Sequence, residues 1–62
     1  MEIIEIEFKN KKYSLEKSKL IYVLSKLENR NLNKITNDEM AVIFEKYDLY
    51  DEIFLANLNN IW

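Results

Sequence analysis

Ile4, Ile6 and Phe8 alternate with Glu5 and Glu7, which gives an extended segment one apolar face and one wet face, the period of a half-buried strand. Lys9-Asn10-Lys11-Lys12 interrupts that pattern. A two-residue hairpin loop requires positive φ, which asparagine tolerates better than its neighbours, so the pattern predicts a loop at Asn10 and Lys11. That loop sets Phe8 opposite Tyr13 and Ile6 opposite Leu15, all on the face of Ile4. The first expectation is therefore an antiparallel hairpin over about residues 2–15.

Beyond Ser14 the period changes. Leu20, Val23, Leu24 and Leu27 recur at helical spacing, with Lys19, Ser25, Lys26 and Asn29 on the other side, which predicts an amphipathic helix over about 16–29. Ser14 or Ser18 is the expected cap, and Asn29, Asn31 and Asn33 supply residues tolerant of the left-handed conformation where the helix ends. Thr36-Asn37-Asp38-Glu39 reads as a capping box and opens a second helix over about 37–47, with Met40, Ile43, Phe44 and Tyr47 as its buried stripe. A third helix over about 49–61 follows, with Asp48 and Asp51 as capping residues. The seven-residue spacing of Met40, Tyr47, Phe54 and Ile61 also fits one continuous helix in place of the last two. The preferred reading has a break near Asp48. The fold class expected is α+β, one domain with a two-stranded amino-terminal hairpin and two or three helices.

Composition narrows what such a domain can do. At 62 residues the chain is near the lower limit for independent folding, and small domains of this size commonly lean on disulfides, a metal or a partner subunit. Cysteine and histidine are both absent, which removes the disulfides and the usual zinc ligands and leaves dense packing or association. The same absence removes the common bases and nucleophiles, so the expectation is a non-enzymatic chain without cofactor or metal. Asp48, Asp51 and Glu52 lack the glycine turn and alternating oxygen ligands of a cation loop, so they read as caps and a solvated face. The longest apolar run, Leu20 to Leu24, is too short for a secretory core or a membrane span, which points to the cytoplasm. Glycine and proline are missing while Asn, Lys and Ile occur eight times each, the usage of an AT-rich coding sequence such as those of low-GC bacteria and their phages.

Charge is segregated along the chain. Residues 1–8 carry three acids, residues 9–34 carry eight bases against two acids, and residues 35–62 carry six acids against one base. Such segregation serves binding, or it lets the two halves attract one another in the fold. On a continuous helix Asp38, Glu45, Asp48 and Glu52 line one edge, an acidic row able to meet the nucleic-acid-binding groove of another protein. Lys19, Tyr22, Lys26 and Arg30 form a basic stripe with an aromatic in it on the first helix, the alternative surface, suited to phosphate and bases. The ordinary reading of both rows is a solvated helix face. The pI near 5.0 opposes a dedicated nucleic-acid module. Thr36, Glu39, Met40 and Ala41 resemble the opening of a helix-turn-helix motif, but Asp48, Asp51 and Glu52 would face the DNA polyanion. Ile53, Leu55 and Trp62 leave the stripe of Phe54, Leu58 and Ile61, and this surplus of apolar residues predicts a partner surface or self-association.

The functional expectation is a non-enzymatic protein-binding module. Its specific form is a small inhibitor or adaptor from a phage or mobile element, acting on a host or defence protein that itself binds nucleic acid, in the manner of an anti-CRISPR or nuclease inhibitor. A homodimer is a further expectation, and no membrane is involved. The alternative is a small nucleic-acid-associated transcriptional regulator that uses the basic stripe.

Overall fold

A computed structural model describes residues 2–61. In chain order it contains β1 (Ile3–Phe8), β2 (Lys11–Glu16), α1 (Lys17–Glu28), α2 (Asn37–Lys46), α3 (Glu52–Asn57) and a single 3₁₀ turn (Leu58–Asn60). The architecture is α+β: an antiparallel hairpin followed by three helices.

The hairpin forms, but in another register. Lys9 and Asn10 make the loop, both with positive φ (52° and 64°), the backbone of a primed two-residue turn. Ile4 therefore lies opposite Leu15, Ile6 opposite Tyr13 and Phe8 opposite Lys11. Moving the loop by one residue slides every pair by two, and a slide of two keeps every side chain on its face. The alternation of Ile4, Ile6, Tyr13 and Leu15 thus admits both registers. Pairing beyond the strand ends separates them, because the observed register brings the Lys17 amide onto the Glu2 carbonyl at 3.0 Å. Lys9 sits over the Phe8 ring and Lys11 over the Tyr13 ring, at 5.3 and 5.2 Å.

That Lys17–Glu2 bond also corrects the expected start of α1. Neither serine caps it, since Ser14 lies within β2 and Ser18 within the helix. β2 runs straight into α1 through Glu16, and the opposite strand satisfies a first-turn amide that a side chain would otherwise take. The far end follows expectation: Asn29 adopts φ 56°, and the Arg30 amide returns to the Ser25 carbonyl at 3.2 Å. Leu32 and Ile35 in the connection are buried, so this loop contributes to the core.

α2 opens on the expected capping box, with the Glu39 amide donating to Thr36 Oγ1 at 3.2 Å and the Thr36 amide donating to Glu39 Oε1 at 3.2 Å. It stops where the break was expected. Asp48 takes φ 55° and the Leu49 amide bonds the Phe44 carbonyl at 2.8 Å, which turns the chain out of the helical path and excludes one continuous helix. Asp51 then caps α3 by accepting from the Phe54 amide at 3.0 Å. α3 is shorter than the expected 49–61, ending at Asn57 before the 3₁₀ turn.

The core is built from both ends of the chain. Leu15, Leu20, Leu24 and Phe44 are its most buried side chains, and Leu55 and Leu58 join them at 2% exposure. Phe44 packs edge-on against Phe54 and tilted against Tyr50, with centroids 6.1 and 5.2 Å apart. Among the described residues no buried side chain is polar, and no helix is long and apolar enough to cross a membrane.

Candidate functional site

The two edges of the hairpin are treated differently by the rest of the chain. On the outer edge of β2, Asn59 lies flat against the strand. Its Nδ2 donates to the Ser14 carbonyl at 2.7 Å and its Oδ1 accepts from the Glu16 amide at 2.9 Å. One side-chain amide thus reproduces the pair of bonds a third strand would make. Leu55 and Leu58 anchor the segment that carries it, and Lys19 Nζ donates to the Asn59 carbonyl at 2.6 Å.

Because Ser14 and Glu16 direct their backbone groups outward, Tyr13 and Leu15 direct theirs toward β1, where Ile6 and Ile4 answer them. The outward amides and carbonyls of β1 are consequently those of Ile3, Glu5 and Glu7. Among the described residues nothing bonds them. Beside this edge runs a cleft of about 110 Å³ between β1 and α2. Ile4 and Ile6 form one wall, Met40 and Ala41 the other, with Phe44 and Tyr50 at its end. Its lining is largely apolar, with Asn37 as its one amide side chain, while Glu5 and Glu7 lie exposed on the opposite face of β1.

Of the residues singled out from the sequence, Asp38, Glu45, Asp48 and Glu52 are all exposed, yet they do not make the expected row. Asp38 and Glu45 share a face of α2, seven residues apart. Asp48 lies in the turn and Glu52 at the start of another helix, so the row ends where the backbone leaves the α2 axis. Asp38 also has a local role, placing a carboxylate in the positive first turn of α2.

The basic stripe is partly absorbed by the fold. Lys19 has a side chain only 14% exposed, held by Glu16 at 3.0 Å and by the Asn59 carbonyl. Arg30 lies 3.6 Å from Glu28. Tyr22 and Lys26 remain on the surface, the ammonium 5.4 Å from the ring centroid.

An ion pair between the basic and acidic stretches joins the minority charge of each: Lys46, the one base after residue 34, bonds Glu28 at 2.9 Å. Tyr47 donates its hydroxyl to the same carboxylate at 2.6 Å, tying the end of α1 to the end of α2. These bonds, that of Tyr47 first and that of Lys46 next, hold the Glu28 carboxyl below its ordinary pKa. The Glu28 carboxylate correspondingly raises the Tyr47 phenol and the Lys46 ammonium.

In the apolar carboxy-terminal third, Leu55 is core and offers nothing to a partner, because after the break at Asp48 α3 packs against β2. Ile53 is 73% exposed. Trp62 lies outside the described residues.

Sequence reasoning missed Asn59 and the cleft. Asn59 gives no local signal, since its partners are more than forty residues away. The cleft could have been suspected from Ala41, a small residue beside Met40 on a helix facing a strand of isoleucines. No family model matches the chain, and no curated protein or solved structure does.

Proposed function

We propose that this chain is a non-enzymatic protein-binding module whose working surface is the open edge of β1 with the apolar cleft beside it. The observation that carries this reading is the asymmetry of the hairpin. One edge is capped over Ser14 and Glu16 by an asparagine side chain, and the other presents backbone groups along its whole length, unbonded among the described residues, beside a largely apolar cleft. An uncovered strand of six residues is a template for a further strand, and here the charges of Glu5 and Glu7 guard the edge without covering its backbone groups.

The nucleic-acid alternative has less support, since Lys19 is engaged within the fold and Arg30 faces Glu28. Phage panning of a random linear-peptide library on the immobilised chain tests the proposal. The expected result is enrichment of sequences that lose binding to Ala41→Asp, which places a carboxylate at the exposed rim of the cleft. Ligands indifferent to Ala41→Asp would overturn the assignment of the surface. Salt-sensitive binding of a fluorescent DNA duplex, abolished by the double change Lys26→Glu with Arg30→Glu, would establish the alternative instead.

A further inference from the structure

Resting on the protein-binding reading above, we infer that the occupant of the β1 edge is an extended segment of another protein in which apolar side chains alternate with lysine or arginine, and that it is not a second copy of this chain. The backbone sets the spacing. A strand added to β1 bonds the outward groups of Ile3, Glu5 and Glu7. Its side chains alternate between the two faces of the enlarged sheet. Those on the inner face fall beside Ile4 and Ile6, above the cleft closed by Met40, Ala41 and Phe44, and are selected for apolar character. Those on the outer face fall beside Glu5 and Glu7, exposed acids at alternate positions, and are selected for positive charge. Lys12 lies opposite Glu7 on the β2 side, so Glu5, opposite Ser14, is the acid without a cross-strand base.

The same geometry argues against self-pairing. Two β1 strands meeting edge to edge about a two-fold axis, at the greatest bonded overlap, place Glu5 against Glu5 or, one step along, Glu5 against Glu7. The opposite step sets Glu5 against Ile3 and avoids the repulsion, but it overlaps only residues 3–5 of each strand. Like charges directly opposite in an antiparallel pair are destabilising, and acids on an edge are a common guard against such pairing. The residues that repel a second copy are those that attract a basic strand.

The test uses three capped peptides on the intact chain: alternating valine and lysine, alternating valine and glutamate, and a block peptide with the valines and lysines of the first segregated into two runs. Binding is followed by amide chemical shifts and hydrogen exchange. The alternating valine–lysine peptide is expected to bind at least tenfold more tightly than the other two and to slow exchange of the Ile3, Glu5 and Glu7 amides. The double variant Glu5→Lys with Glu7→Lys, at exposed positions that leave the core intact, should invert the preference toward the valine–glutamate peptide. Equal binding of the alternating and block peptides shows a charge effect without strand addition and overturns the inference. An unaltered preference in the double variant overturns the stated chemistry. Peptide binding that shifts Tyr22 and Lys26 but not β1 sinks strand addition while leaving a protein-binding role standing. Concentration-dependent dimerisation protecting the same β1 amides makes the second copy the occupant and overturns the inference.

Discussion

β1 and β2 are strands of equal length in one hairpin, yet the chain invests differently in their outer edges. β2 is bordered by α3 and the 3₁₀ turn, with its Ser14 carbonyl and Glu16 amide met by Asn59 and its end joined directly to α1. β1 meets α2 only across a cleft and keeps its outward groups unpaired among the described residues. The lesson is that part of an edge can be closed without a further strand. One side-chain amide covers the Ser14–Glu16 end of β2 when two leucines fix the backbone that carries it.

The closed edge is the place to break the comparison. Leu58→Ala, at a side chain 2% exposed, should cost about 3 kcal/mol by leaving a cavity under the 3₁₀ turn. A chain this short commonly holds only about 3–5 kcal/mol in all, so circular dichroism should show a substantially unfolded population at room temperature. A native-like spectrum with an unchanged urea midpoint would mean that the 3₁₀ turn is not anchored through Leu58.

Asn59→Ala is the sharper change, since it removes both bonds to β2 and little packing. A loss of about 1–2 kcal/mol in urea denaturation is expected. Faster exchange at the Glu16 amide should accompany it. If Glu16 exchanges as in the parent, the asparagine is not what closes this edge.

Thr36→Ala acts on the other side of the comparison, because α2 forms one wall of the cleft. Removing the cap should cost about 1 kcal/mol through the orphaned Glu39 amide. The check is the denaturant midpoint, together with exchange in the first turn of α2.

Changes at the hairpin tip should be smaller and favourable. Asn10→Gly relieves a positive φ and is expected to be neutral or stabilising by roughly 0.5 kcal/mol. Adding Lys9→Asn creates the Asn-Gly pair preferred in primed turns and should bring the total to about 1 kcal/mol. A measured loss of stability in either variant would contradict the turn geometry.

At neutral pH the smallest effect is expected from Glu28→Gln, because its basic partners Lys46 and Arg30 are exposed and glutamine can still accept from Tyr47. Its signature is pH dependence. Glu28 has a depressed pKa in the folded state, so its contribution is present above the unfolded carboxylate value and is lost as pH falls through the folded value. Tyr47 and Lys46 are raised by the same carboxylate, so their contributions are present below their unfolded values and disappear as pH rises through the folded ones. The variant should show a flatter fall of stability in acid and a flatter fall in alkali than the parent. Parallel curves at both extremes would show that the Glu28 cluster does not form in solution.

What could be read in advance follows the range of the interactions. The capping box at Thr36, the left-handed end at Asn29, the break at Asp48 and the inward face of the hairpin all depend on residues within a turn or two of one another. The loop position, the cap of α1 and the fate of Leu55 do not. Lys9 accepts a positive φ that its own preference resists, since the register it permits lets Glu2 bond Lys17. Leu55 left the apparent core stripe only on the assumption of a long third helix.

The candidate site divides in the same way. Alternation along β1 by itself determines that Ile4 and Ile6 face inward while Glu5 and Glu7 face water, because side-chain direction in a strand follows from chain geometry alone. Which edge of the hairpin stays open was decided only by tertiary structure. That choice rests on where Asn59 arrives after three helices and two turns have been packed, a distance no local preference spans. The cleft is likewise a product of packing, formed where α2 stands off from β1 while α3 closes against β2.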